Sequence, residues 1–337
     1  MARVYDGMVP FTLYRPAHLE DALALAERFA DAWILAGGFD SLERFKDRLR
    51  RPAAVIDLGG IERLKGVRRE AGELVIGAMT TLADVGRHPE IQQHFSLLSR
   101  AAEEVASPQI RNRGTLGGNI CQDARCWYYR GGWDCYRAGG GTCYAAENEE
   151  GQNREHAIFG IAGCAAVSPS DTAPVLVALD ARLTLEKATG ARTMAAEEFF
   201  VGPDDDISRL TLLSPGEILT EIRLPMSWAD ATFYFEKVRD RPVWDFALAN
   251  IASALKCSGD RIDAARLVLG GVAARPWRLA EVEAFVTGQT AKMAADAAAE
   301  RAVKGATALP HNGYKVILAR NLVRRALLAA DKTALEG

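Results

Sequence analysis

The stretch from Gly114 to Asp171 cannot fold alone, so the rest of the chain has to be built around holding it. A TLGGN turn, Thr115 to Asn119, runs into Cys126, Cys135, Cys143 and Cys164 and ends at the SPSD of 168–171. Between the thiols the sequence is WYYRGGWDCYRAGGGTCY. Gly, Tyr, Trp and Arg dominate it, and the aliphatic residues that make a core are scarce. A glycine turn suited to a pyrophosphate thus lies beside a candidate four-thiolate metal site, a pairing that suggests electron transfer.

Soft thiolates suit iron–sulfur clusters, and four complete a cubane. The spacing Cys126-x8-Cys135-x7-Cys143-x20-Cys164 lacks a C-x-x-C knuckle, so it names no metal. An iron–sulfur cluster, zinc and free buried cysteines all remain open on spacing alone. Cys121, five residues before Cys126, is a rival ligand, and Cys257 reads as a core residue ending an apolar helix.

With 49% hydrophobic and 25% charged residues and a net charge of -3, the chain has ordinary globular composition and no polyanion footprint, so no nucleic-acid partner is expected. Its 337 residues exceed what one core sustains, and two or three packed units are expected. MARVYDGMVPFTLYRP lacks the pattern of a secretory signal and no window suggests a transmembrane span. These features suggest the cytoplasm, where thiols stay reduced, or the periplasm if a partner carries the export signal.

Residues 17–30 form an amphipathic pattern with Leu19, Ala22, Leu23, Ala26 and Phe29 on one face. A strand, a glycine pair and a helical LERFKDRLR follow. PAAVIDL (52–58) and ELVIGA (73–78) read as strands and 81–86 as a capped helix start, an alternation that suggests an α/β unit. Residues 175–186 read as a strand, and EILTEIRLP (217–225) as an edge strand closed by Pro225. After a boundary near 226 come TFYFEKVRDR, FALANIASALKC and ARLVLGGVA as strands or strand–helix mixtures. Helices at Leu279–Thr287, around 290–304 and at Tyr314–Leu335 complete an α+β unit. The acidic 203–208 segment reads as a solvated loop.

Two glycine pairs, in Ala36–Ser41 (AGGFDS) and in TLGGN, can point backbone N–H groups at an anion with no Cβ in the way. Neither is a G-x-G-x-x-G or P-loop motif, so a nicotinamide Rossmann site and nucleotide hydrolysis lose their usual support.

AGGFDSL, RNRGTLGGNI, SPSD, GEILTEIRLP, KVRDRPVWDFALANIA and LGGVAARPWR occur in that order along nearly the whole chain. In this set the chain resembles the FAD-binding subunit of the xanthine dehydrogenase and aldehyde oxidoreductase family of molybdenum hydroxylases. It looks most like the flavin subunits of periplasmic-type aldehyde oxidoreductases, whose inserted cysteines correspond to Arg125-Cys126, Cys135, Thr142-Cys143, Gly163-Cys164 and Ser170-Asp171. The flavin subunit of 4-hydroxybenzoyl-CoA reductase carries a similar insertion with its own spacing.

The resemblance implies an α+β architecture. A vanillyl-alcohol-oxidase-like FAD domain of two α/β lobes would span 1–226, with lobes of about 1–58 and 59–226 and a cluster insertion at 121–164. The C-terminal α+β domain of carbon monoxide dehydrogenase flavoproteins would span 227–337. It also implies that Ile34, Leu35, Ala36, Gly37, Gly38, Phe39, Asp40 and Ser41, with Thr115, Gly117, Gly118 and Asn119, cradle the FAD pyrophosphate. Asp171 would bond the ribityl or phosphate region, Leu219 would touch a ring system and Lys237 would face the flavin. Cys126, Cys135, Cys143 and Cys164 would hold a 4Fe-4S cluster. Molybdenum cofactor would sit on a large partner subunit and 2Fe-2S clusters on a small one, with electrons leaving to an external acceptor. Phe39 departs from the family's usual small hydroxyl residue, which removes a side-chain bond to phosphate and leaves the backbone donors.

His156 reads as a structural histidine beside an apolar strand, with a proton relay or ligand as the sharper reading. His18 and His311 read as surface residues. Trp127, Tyr128, Tyr129 and Trp133 read as aromatic packing of the insertion, with an electron path as the alternative. Arg111 and Arg113 flank TLGGN and either neutralise phosphate or stay solvated. Rival functions are an aromatic-CoA reductase subunit, a self-sufficient flavoenzyme of the same fold, and a zinc-stabilised scaffold.

Overall fold

The computed structural model describes residues 8–333. Strand β1 (Thr12–Tyr14), helix α1 (Leu19–Arg28), β2 (Trp33–Leu35), α2 (Phe39–Lys46) and β3 (Ala54–Asp57) alternate into a parallel sheet of order β1-β3-β2. Leu19, Ala22, Leu23 and Ala26 of α1 pack against Ile56 and Leu58. Phe29 caps the helix and stacks on Tyr14, with ring centroids 5.2 Å apart. Helix α2 begins earlier than the LERFKDRLR pattern suggests: Gly38, at φ 92°, takes the N-cap directly after β2.

The second sheet contains β4 (Val67–Glu70), β5 (Glu73–Gly77), β6 (Arg182–Lys187), β7 (Gly190–Ala195) and β8 (Ile218–Pro225), in the order β4-β5-β8-β6-β7. Every pairing in it is antiparallel, so this lobe is not the α/β unit that the strand–helix alternation suggests. β8 is central rather than an edge. Pro225 is tolerated there because it is the strand's last residue. Residues 175–186 also differ from expectation: Ala173–Ala178 is a helix buried on every side, and the strand begins only at Arg182. An apolar run buried all round carries no periodicity to tell the two apart.

The third sheet comprises β9 (Thr232–Val238), β10 (Ala249–Ser258), β11 (Arg261–Gly270) and β12 (Trp277–Arg278). Strand alternation splits β10 between two cores. Ala252 and Ala254 join Phe95, Leu98 and Leu176, whereas Ile251 and Leu255 pack with Val282, Ala298, Leu322 and Leu327 of the C-terminal helices. Cys257 lies exposed at a bulge near the end of β10, not at the end of a buried helix. The last helix runs Tyr314–Thr333, and its expected end at Leu335 lies outside the described residues.

These units grip the insertion. Phe159 stacks on Trp277, with centroids 4.9 Å apart. Asn312 Nδ2 donates to the carbonyls of His156 and Ala157 at 3.1 and 3.0 Å, and His311 N donates to Asn153 Oδ1 at 2.9 Å. Lys315, with no exposed surface, donates Nζ to the carbonyls of Glu155 and Gly271, both at 2.8 Å.

Candidate functional site

A cavity of about 750 Å³ opens between the first two lobes. One wall is Ile34 and Ala36–Ser41; the facing wall contributes Thr115, Gly117, Gly118 and Asn119, and Leu219 of β8 closes the floor. The two glycine turns touch. A Cβ on Gly37 would lie 2.5 Å from the Arg113 carbonyl oxygen, and one on Gly118 would lie 3.3 Å from Ala36 Cβ. On Gly117 a Cβ would meet the Ala78 carbonyl oxygen at 2.8 Å.

The turns are not equivalent as donors. Leu116 N donates to Thr80 O, Gly117 N to Ala78 O and Asn119 N to Thr115 O, each at 2.9 Å, and Gly118 N to Thr115 Oγ1 at 3.0 Å. TLGGN therefore spends its N–H groups inside the protein, contrary to the expectation that it cradles phosphate with them. At α2 the first-turn N–H groups of Phe39, Asp40 and Ser41 have no carbonyl within reach in the helix, and they stand at its positive end.

Three expected residues lie off the cavity wall. Leu35 points toward Gly38 from β2. Lys237 Nζ donates to Asp171 Oδ2 at 2.5 Å and to Glu104 O at 3.0 Å, and Asn250 Nδ2 donates to Asp171 Oδ1 at 3.0 Å. Both side chains are sealed from solvent, so their charges are spent on each other. Burial pulls the Asp171 carboxyl upward, with Lys237 and Asn250 opposing. Arg111 Nη1 donates to Val105 O at 2.7 Å, and neither it nor Arg113 lines the cavity.

Beyond the glycine turns the wall is charged. Asp40 pairs with Arg130 at 2.7 Å and Arg125 at 3.3 Å, and accepts from Asp123 N at 3.2 Å. Asp123 is paired with Arg44 at 2.8 Å, accepts from the Tyr129 hydroxyl at 3.0 Å, and bonds Arg137. Burial opposes the Asp123 charge, but Arg137 and Arg44 outweigh it and hold the carboxyl below its usual range. Trp244 and Phe246 stand exposed on the cavity wall.

Cys126, Cys135, Cys143 and Cys164 line one small chamber with His156, although the four are spread over a 39-residue span of chain. All four thiols are free. His156 Nε2 lies 3.2 Å from Cys126 Sγ, so this buried histidine lines the chamber. Burial is the main force lowering its pKa to about 4, which leaves the ring neutral. Burial also pushes the Cys126 thiol up to about 11. Cys121 is exposed on the wall of the larger cavity, and desolvation by the surrounding protein pushes its thiol up to about 12. It does not line the thiol chamber. Tyr128, Trp133 and Tyr144 form a ring cluster beside the chamber, with centroids 4.8–5.7 Å apart.

Residues 9–227 match the family model for the FAD binding domain in molybdopterin dehydrogenase, and 233–330 match that for the CO dehydrogenase flavoprotein C-terminal domain. The chain is 32% identical to the aldehyde oxidoreductase FAD-binding subunit PaoB of Escherichia coli, over 97% of this chain and all of that one. It is 31% identical to the carbon monoxide dehydrogenase medium chain of Hydrogenophaga pseudoflava, over 96% and 98% of the two chains. The solved carbon monoxide dehydrogenase of that organism, lacking the Mo-pyranopterin moiety, superposes with a TM-score of 0.76 at 31% identity, over 96% of this chain and 98% of that one. The chain belongs to the FAD-binding subunits of the molybdenum hydroxylases.

This flavin subunit is accordingly an electron-transfer component of a multi-subunit oxidoreductase. Its cavity fits the cofactor chemically: free N–H groups at a helix start for a pyrophosphate, glycines that let backbone approach, and apolar walls for a ring system. Asp123, Arg44 and Arg137, which the sequence reading did not single out, line the cavity, and His156 lines the thiol chamber. Arg137, two residues after Cys135, offered a positional signal; Arg44 offered none. No helix among the described residues is long and apolar enough to cross a membrane.

Proposed function

We propose that this flavin subunit binds FAD in the 750 Å³ cavity, holds a 4Fe-4S cluster on Cys126, Cys135, Cys143 and Cys164, and passes electrons to an external acceptor. Electrons would come from a molybdenum-binding large subunit through a small 2Fe-2S subunit. FAD supplies a carrier that takes two electrons and releases them singly or together.

The convergence of four free thiols on one chamber beside the flavin cavity carries this reading. Among the described residues, no three such side chains draw close enough to hold a single ion. Four thiols facing one chamber match the demand of a four-iron cluster for one thiolate per iron. The N–H groups of Phe39, Asp40 and Ser41 would hold the pyrophosphate, with Gly37 and Gly38 keeping the approach open. Thr115, Gly117, Gly118 and Asn119 would form the opposite wall, with Ile34, Ala36 and Leu219 against the rings. Asp171, Lys237 and Leu35 would support the site from behind. Aldehydes are the substrate class we favour for the large subunit, from the full-length match to an aldehyde oxidoreductase flavin subunit. Six free cysteines suit assembly in the reducing cytoplasm.

The test is metal and flavin analysis of the complex purified anaerobically. About one FAD and about four irons per chain beyond those of the small subunit are expected, with the extra iron absent from Cys135→Ser. Zinc in place of the extra iron, or iron unchanged in Cys135→Ser, would sink the cluster assignment.

A further inference from the structure

Among the residues lining the two spaces, Arg137 is the one common to both. Its side chain is 3% exposed. Nη2 bonds Asp123 Oδ1 on the flavin side, and Nη1 donates at 2.8 Å to the carbonyl of Ile207, where the chain enters the 208–219 segment of the cavity wall. Its guanidinium carbon lies 5.2 Å from the Tyr129 ring centroid, and Tyr129 itself lines the thiol chamber. Nε is buried with no partner. A buried donor with no acceptor is costly, and a guanidinium is costlier still unless negative charge lies nearby. Asp123 cannot be the whole answer, because it also serves Arg44, Tyr129 and its own neighbour Ala124 N.

We propose that Arg137 is an electrostatic partition shared by the two chambers, its one positive charge favouring added negative charge on the thiolate-bound cluster and on the flavin alike. The proposal rests on the cofactor assignment above. Reduction adds negative charge to either centre, and in a water-poor wall a fixed cation beside it stabilises the reduced form and raises its potential. The field reaches the thiolate side by position, since Arg137 lines the chamber together with Cys126, Cys135, Cys143 and Cys164 and follows Cys135 by two residues. On the flavin side it is tempered by Asp123, so the two residues act with opposite signs on the same centres.

That opposition gives the test. Potentials of the four-iron cluster and of FAD are measured by spectroelectrochemistry and low-temperature EPR on the intact complex, with iron and FAD content measured on the same samples. Arg137→Gln removes the charge, and both potentials are expected to fall at unchanged cofactor content. Arg137→Lys keeps the charge and is expected to restore most of both. Asp123→Asn is nearly isosteric and strengthens the net positive field, so both potentials are expected to rise. It carries the test alone if Arg137→Gln does not accumulate. A purely structural role would shift both variants the same way, through lost cofactor. Full cofactor content with either potential unmoved in Asp123→Asn, or with Arg137→Lys behaving like Arg137→Gln, would overturn the proposal. Wild-type complex without the extra iron overturns it together with the cofactor assignment, so the two failures are told apart.

Discussion

Gly37 and Arg113 lie so close that a Cβ on the glycine would stand 2.5 Å from the arginine's carbonyl oxygen. That contact locks the turn before α2 to the start of TLGGN, and with it the two sides of the flavin cavity. The obstructing atoms belong to the main chain and cannot swing aside as a side chain would. Gly37→Ala is expected to cost about 1–3 kcal/mol in stability and to weaken FAD binding at least about tenfold. Gly141→Ala, where a Cβ meets nothing within 4 Å, serves as the control. Flavin fluorescence titration of apoprotein gives both affinities, and a Gly37→Ala variant binding FAD like wild type would refute the cradle geometry.

Thr115 offers the complementary case, because its hydroxyl caps the short helix Leu116–Ile120 by accepting from Gly118 N. Thr115→Val keeps the volume and removes the cap. Stability should drop by about 1 kcal/mol, the usual worth of such a cap, while FAD affinity stays within about threefold of wild type. A large loss of affinity at unchanged melting temperature would show that the threonine serves the cofactor directly.

Lys237 and Asp171 form a sealed pair, with side chains 1% and 3% exposed. Lys237→Met strands a buried carboxylate and should destabilise the protein by about 3–5 kcal/mol, even without flavin. Adding Asp171→Asn removes the stranded charge, so the double variant should recover much of that loss. Chemical denaturation of the apoproteins reads the cycle. Additive losses would mean that the pair does not exist in solution.

Local chemistry made much of this legible. The order of strand, glycine pair and helix marked β2 and α2, although α2 starts ahead of LERFKDRLR; the amphipathic 17–30 pattern marked α1, and Thr81 marked a helix start, its hydroxyl accepting from Asp84 N at 3.1 Å. What failed depends on neighbours distant in sequence. β8 is central because β6 closes over it from the far side, and nothing within residues 217–225 reports that pairing. Ala173–Ala178 is buried all round, which erases the helical stripe. TLGGN looks like a set of anion donors until Ala78 and Thr80 are seen to take its N–H groups. His156 reaches Cys126 across 30 residues, a contact that the adjacent AIFG does not report.

Lys315 makes a pH-dependent prediction. Its ammonium is buried against the carbonyls of Glu155 and Gly271, and burial, the largest influence, lowers its pKa from 10.5 to about 7. Between these values the unfolded chain holds a proton that the folded protein has released, so stability due to this group rises with pH across the window. It is greatest above the unfolded value and is lost as pH falls to about 7, below which it is flat. Each pH unit well inside the window is worth about 1.4 kcal/mol. Lys315→Met, which keeps the length without the amine, isolates the contribution from every other titrating group. The difference in unfolding free energy, wild type minus variant, should increase by about 1–2 kcal/mol between pH 7 and pH 8.5 in urea denaturation. A difference that stays constant over that interval would mean that Lys315 remains charged in the fold, held by its two carbonyls.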